Sequence, residues 1–241
     1  MKNSFAFIFL IIITFYSFSQ EKNSLQSEKN KGKDIFILDL FTDIWQDVPA
    51  NTDVRTINQG INIYGMLNLP IGYSNFSLGG GLGVSSHNFY SDAIPVLGRN
   101  LSNSLTGTTE FIKLGDYYGR QINYSINKIN TTSIEIPFEL KYKTRADRNK
   151  RFKASIGWKI GYNISNHSKY RGEDVLENTS DIITIKKTNI KYLNNWNYGI
   201  TARIGFGMYN LMLYYSLSKM FEKDKGPQYY PISLGISITP F

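Results

Sequence analysis

Every second side chain is apolar in two long stretches of this chain. Ile134, Ile136, Phe138, Leu140 and Tyr142 share one parity, and Glu135, Pro137, Glu139, Lys141 and Lys143 share the other. Phe152, Ala154, Ile156, Trp158, Ile160, Tyr162 and Ile164 repeat the pattern against Lys153, Ser155, Gly157, Lys159, Gly161 and Asn163. A period of two belongs to β-strands whose two faces meet different solvents. Any fold for this sequence must supply both solvents along many residues.

The pattern predicts eight strands: Ile35–Trp45, Ile57–Ile71, Phe76–Tyr90, a fourth from at least Thr132 to Thr144, Arg151–Ser165, Trp196–Gly207, Asn210–Phe221 and Gln228–Phe241. Their connections alternate in length. Gly72–Asn75, Arg145–Lys150 and Met208–Tyr209 are short, whereas Gln46–Thr56, Ser91–Asn130, Asn166–Asn195 and Glu222–Pro227 are longer. Outer-membrane barrels have short periplasmic turns, longer external loops and an even strand number. The expected fold is all-β, an eight-stranded antiparallel up-and-down transmembrane β-barrel in the bacterial outer membrane. A secreted β-sandwich also has one apolar and one polar face per sheet. The even count, the alternating connections and the export signal favour the barrel.

That signal is expected at residues 1–19. Lys2 gives a positive start, Phe5–Phe18 is apolar, and Ser17 and Ser19 precede a cut before Gln20. The apolar run is shorter than the ~20 residues a spanning helix needs. Residues 20–33 are polar and charged, with Leu25 the one apolar residue, so a flexible periplasmic leader is expected there. The barrel domain is assigned to 34–241. There is no cysteine, which excludes disulfides and thiolate metal sites. The formal charge of +8 falls to +7 when Lys2 leaves with the signal. The lysines are scattered over strand faces and loops with no basic helix, so nucleic acid is not the expected partner. Contact with outer-membrane lipid and acidic lipopolysaccharide is a more natural use of the charge.

Aromatic residues group near the strand ends. Trp45, Phe89, Tyr90, Tyr162, Trp196, Tyr198, Phe221, Tyr229 and Tyr230 lie beside the long loops, and Phe36, Tyr73, Phe76, Tyr142, Phe152, Phe206, Tyr209 and Phe241 lie near the short turns. Two aromatic belts at two membrane interfaces are expected. Pro137 has no amide hydrogen to donate, so a bulge or a local gap must accommodate it. Pro240 breaks the register before Phe241, which has the opposite parity from Tyr230, Ile232, Leu234, Ile236 and Ile238.

The cysteine-free exported chain, the segment IEIPFELKYK at 134–143 and the C-terminal aromatic resemble the Bacteroidota-type outer-membrane β-barrel family, which includes the PorT-like proteins. In architecture the chain is similar to small OmpA/OmpX-type barrels. The PorT-like resemblance implies a connection with type IX protein secretion. Phe241 departs from the family's terminal aromatic, which continues the lipid-facing row.

The inner parity collects charge: Asp39, Asp43, Glu135, Glu139, Lys141, Lys143, Lys153, Lys159 and Arg203. An eight-stranded barrel is just wide enough for side chains to fill, so these groups are expected to form an interior network of ion pairs. Lys141 and Arg203 are expected to neutralise carboxylates such as Asp39, Asp43 and Glu139. A glycosidase-like reading of the carboxylates is outweighed by that structural role. Gly79, Gly81 and Gly83 are expected to admit bulky inner side chains, since no helix follows to make a phosphate site. His87 lies near Ser85, Ser86 and Asp92, the residue types of a hydrolase triad, but a triad requires a geometry that sequence does not show. With His167 as the other histidine, far away, no metal site, cofactor or catalytic residue is assigned.

In the long loops, Ile122, Tyr124 and Ile126 keep the parity of the fourth strand, and Ile182, Thr184, Lys186, Tyr192 and Trp196 that of the sixth. Pairing is expected to continue above the membrane as a protruding sheet. Tyr117, Tyr118, Tyr124 and Tyr170 are the candidate partner-binding residues on it. The expected function is that of a monomeric, non-enzymatic surface binding protein, or accessory component of a secretion or envelope complex. The alternatives are a passive barrel or narrow pore, and a lipid-modifying enzyme.

Overall fold

The computed structural model describes residues 36–99, 103–145, 150–177 and 179–239. The signal at 1–19, the leader at 20–33, Pro240 and Phe241 lie outside the described residues. Among the described residues, eleven strands and one short helix follow in chain order: β1 (Phe36–Gln46), β2 (Gln59–Pro70), β3 (Phe76–Tyr90), β4 (Ala93–Arg99), β5 (Leu105–Lys113), α1 (Leu114–Tyr118), β6 (Tyr124–Lys143), β7 (Phe152–Asp174), β8 (Thr179–Thr188), β9 (Trp196–Phe206), β10 (Tyr209–Ser216) and β11 (Tyr230–Ile238).

Eight of these strands form a closed antiparallel ring in the order β6-β3-β2-β1-β11-β10-β9-β7, sealed by β6 against β7. Closure leaves no unpaired edge within the ring, which is the condition for a sheet to lie in lipid. Carried in register across the short break between β3 and β6 and past the last β10–β11 pair, the wall can be followed through Phe36, Gly65, Leu82, Ile136, Ile160, Tyr198, Leu217 and Tyr230. It returns to β1 at Gln46, ten residues beyond the start. That stagger tilts the strands by roughly 40° to the axis and narrows the interior to a space that side chains fill.

The alternating pattern becomes two faces. Leu40, Ile63, Leu67, Leu82, Ile136, Phe138, Ile156, Ile200, Leu211 and Ile236 are exposed on the outer surface. On β1, Ile37, Asp39, Phe41, Asp43 and Trp45 are all buried and point inward. The tight turn after β2 has Gly72 in the left-handed region at φ 54°, and Gly207 takes the same role before β10 at φ 60°. That turn therefore comprises Gly207 and Met208, with Tyr209 already in β10.

Pro137 is accommodated by a local gap. The β3–β6 ladder runs to Gly80 opposite Phe138 and resumes with Gly83 opposite Glu135 in the same register. On the other side, Pro137 stays paired with Lys159 of β7.

The long connections are structured. β4 and β5 form a hairpin of their own. β6 and β7 continue past the outermost lipid-facing residues, Ile134 and Ile164, and β8 pairs with the upper part of β7. A bulge lies where Thr132 faces Ser165 and Ser133 faces Asn163, which leaves Ile164 as an extra residue on β7. Lys159 and Gly161 are buried below the bulge, and Tyr170, Gly172 and Asp174 above it, so the inward parity of β7 switches from odd to even. One extra residue re-aims a strand in this way.

Candidate functional site

The lumen is layered, and the inner row of β1 runs through the layers. In the lowest charged layer, Arg203 of β9 reaches across to β1 and β6. Its Nη2 donates to Asp39 Oδ2 at 2.7 Å, its Nε to Asp39 Oδ1 at 3.4 Å, and its Nη1 to Glu139. Lys141 lies 3.7 Å from the other oxygen of Glu139, and the Asn62 amide donates to Asp39 at 3.2 Å. Lys143 and Lys153 line a cleft together with Glu139, Lys141 and Arg203 of this layer, and Lys153 Nζ donates to Thr239 Oγ1 at 3.1 Å.

A second group joins Glu135 of β6 to Lys159 of β7 at 2.9 Å. The Tyr64 hydroxyl donates to the same Glu135 oxygen, and Lys159 Nζ stands 4.0 Å from the centre of the Tyr214 ring. A third group is centred on Asp43. His87 Nδ1 lies 2.8 Å from Oδ2, and Ser233 donates to Oδ1 at 2.6 Å. All four inner carboxylates and the side chains of Lys141, Lys159 and Arg203 are buried. Isolated charges so deep cost several kcal/mol each, whereas paired and hydrogen-bonded ones are tolerated.

Inner glycines make room for these groups. A Cβ on Gly83 would strike Tyr64, one on Gly81 would strike Met66, and one on Gly79 would come within 2.7 Å of the Lys141 chain. Gly157 and Gly161 give the same clearance to Glu139 and Glu135.

Above Asp43 the lumen turns apolar. Trp45, Phe89, Ala93, Phe111, Ile129, Leu193, Phe221 and Tyr229 form one buried cluster over the external mouth. Phe89 stacks on Tyr229 at 4.7 Å, and Trp45 and Phe111 meet the Tyr229 ring edge-on at 5.3 and 5.7 Å. Trp45, Phe89, Phe221 and Tyr229 are therefore cap residues and not members of a lipid-facing belt. Tyr162, Trp196 and Tyr198 do face outward, all more than 40 % exposed (45 %, 54 % and 46 %). Between the charged groups and the cap is a small pocket of about 50 Å³, where His87, Ser133, Asn163, Asn197 and Ser216 share the lining with Trp45, Tyr214, Met220 and Pro231. It has room for a water, and its polar groups supply partners for one.

The expected partners of Asp43 need correction. Arg203 and Lys141 serve Asp39 and Glu139, while Asp43 is held by His87 and Ser233. Tyr64, His87 and Ser233 were missed as members of the network. Each shares its strand's inner parity, and that was the available signal. No hydrogen bond joins His87 to Ser85 or Ser86 among the described residues. Ser86 Oγ accepts from Asn130, and Asp92 pairs with Lys113 at 3.0 Å.

The external tyrosines separate. Tyr117 and Tyr124 are exposed, and Tyr118 is half-buried with its ring 4.9 Å from that of Tyr117. Tyr170 is buried with Leu114 and Ile122, and its hydroxyl donates to the Glu173 carbonyl at 2.8 Å. It supports the sheet and offers no surface, because the β7 bulge has turned it inward. Arg120 grips Glu173 at 2.9 Å and holds its carboxyl below the usual carboxylate range, aided by a hydrogen bond from Asn123. Lys113 bridges Asp53 and Asp92, which depresses Asp53 and raises Lys113.

A family model of the outer membrane protein beta-barrel domain matches residues 14–222. The chain belongs to this family. The outer-membrane barrel therefore resides in the bacterial outer membrane, as its lipid-facing wall requires. Its last strand, β11, lies beyond the matched span and still pairs with both β1 and β10. Comparison with curated proteins and with solved structures gives no match.

Proposed function

We propose that the outer-membrane barrel is a non-enzymatic anchor that presents a folded sheet to a protein partner at the cell surface, as an accessory component of a secretion or envelope complex. The PorT-like resemblance supports the same class of role. The observation that carries this reading is a lumen filled at two heights beneath a sheet with one open edge. The Arg203 and Lys159 ion pairs block the lower lumen, and the Tyr229 cluster closes the mouth. Among the described residues, β8 pairs with β7 alone. Its other edge offers backbone donors and acceptors to an added strand. Ile182 is 72 % exposed there, an apolar contact beside that edge.

Two measurements test the proposal. Reconstituted in planar bilayers, the barrel gives no unitary conductance; steady channels would overturn the anchor reading. A photo-reactive residue at Thr184 gives a discrete protein adduct in intact cells, which the same group at lipid-facing Ile156 does not. Adducts to lipid alone from both sites would overturn the partner reading.

A further inference from the structure

A row of cations crosses the outer face of the protruding sheet. Lys128 of β6 is directly opposite Lys169 of β7, which is directly opposite Lys186 of β8. Tyr90 of β3 is opposite Lys128 on the other side and continues the row. Lys128 Nζ lies 5.1 Å from the Tyr90 ring centre and donates to its hydroxyl at 3.3 Å, and the Arg55 guanidinium lies 5.2 Å from the same ring. Like charges directly opposite across a sheet destabilise it. Among the described residues no carboxylate pairs with Lys128, Lys169 or Lys186. The acids nearby are engaged elsewhere: Asp53 and Asp92 with Lys113, and Glu173 with Arg120.

The row's position identifies what neutralises it. Lys128 continues the outward parity of β6, in line with Ile134, Ile136, Phe138 and Leu140, so the band stands directly above lipid. At about 3.3 Å per residue and a tilt of roughly 40°, its backbone lies ~15 Å above Ile134. Lysine arms reach back toward the membrane from there. That height matches a sugar headgroup better than a glycerol phosphate at the hydrocarbon edge.

We propose that Arg55, Lys128, Lys169 and Lys186 form a docking band for phosphorylated sugar headgroups of outer-leaflet glycolipid. A separate observation agrees with the uncompensated potential. His167, opposite Asn130 on the same face, has its imidazole pushed below the ordinary histidine value by burial and by Lys186, Lys128 and Lys169.

The test uses the full mature chain in phosphatidylcholine nanodiscs titrated with diphosphoryl lipid A. Each lysine near an anionic surface contributes roughly fivefold to affinity, so Lys128→Gln, Lys169→Gln and Lys186→Gln together should weaken retention on the order of 100-fold. Lys187→Gln, Lys191→Gln and Lys223→Gln remove equal charge outside the band and should leave retention near the parent value. Heat-modifiable gel mobility confirms that both triple variants are folded. Bound lipid A should raise the His167 titration seen by NMR, and the band variant should abolish that rise. Equal retention by the two triple variants overturns the proposal. So does equal retention of dephosphorylated lipid A or of phosphatidylglycerol, and so does full competition by millimolar inorganic phosphate.

Discussion

Replacing Arg203 with methionine keeps much of the side-chain volume and removes the guanidinium that joins β9 to β1 and β6. Asp39 would lose its 2.7 Å ion pair and keep the Asn62 amide, in a position with 0 % exposure. Glu139 would keep Lys141 at 3.7 Å. Breaking one side of a buried pair costs about 3–5 kcal/mol, and Arg203→Met should fall in that range. The partners should then differ in rescue. Asp39→Asn should recover the most, with a coupling of roughly 1–3 kcal/mol, because it removes the more isolated charge. Glu139→Gln should recover less, because Glu139 keeps Lys141 and is the less isolated of the two carboxylates. Asp43→Asn should be additive within about 0.5 kcal/mol, because Asp43 belongs to His87 and Ser233. Urea-dependent folding into lipid vesicles, followed by tryptophan fluorescence, gives all the values. A cost below ~1 kcal/mol for Arg203→Met would mean a hydrated, screened interior and refute the reasoning. Equal rescue by Asp39→Asn and Asp43→Asn would refute the assigned pairing.

Other expectations follow from the two faces. Ile156→Arg and Ile200→Arg should each cost roughly 2–4 kcal/mol in folding into lipid, whereas Leu176→Arg, in an external turn and 75 % exposed, should be nearly silent. Gly80→Ala meets Phe138 at an ordinary 3.7 Å and should be tolerated, while Gly83→Ala would strike Tyr64 and the Ile63 carbonyl and should destabilise by ~1–3 kcal/mol or more in the same assay. Tyr229→Ala removes the ring at the centre of the cap and should cost about 3–5 kcal/mol, yet leave planar bilayers non-conducting while the ion pairs below persist. Glu173 is held below 4.5 by Arg120 and Asn123, so its contribution is complete above 4.5 and is lost as pH falls through the lower folded value. An NMR carboxyl titration of Arg120→Gln should move Glu173 back toward 4.5.

Much of the wall was legible because parity is a local property. β3 runs from Phe76 to Tyr90 as its alternation predicts, and Asp39, Glu135, Lys159 and Arg203 all lie on the buried side. The misplacement of Trp45 and Phe89 came from reading proximity to a strand end as membrane-interface position. Trp45 shares the parity of Asp39 and Asp43, and Phe89 that of His87, which sends both inward. Tyr170 was less readable, because one extra residue at Ile164 reverses the inward parity of β7 above it and hides the strand's continuation. The pairing of Asp43 with His87 was not readable from either strand. It depends on how β1, β2 and β3 are staggered, and that stagger is set by the whole ring.

Leu38 near the start of the barrel is paired with Ile238 near its end. The wall thus remains a curved ribbon with two sticky margins until the final strand is available, however far the other hairpins have matured. During synthesis and export, the margins of β1 and β10 are the places where a neighbouring chain can attach instead. Sealing them requires the longest-range contact in the ring, and such contacts form slowly. A chain truncated before Tyr230 should therefore retain most of its hairpins and accumulate as aggregates, a failure of timing more than of strand formation.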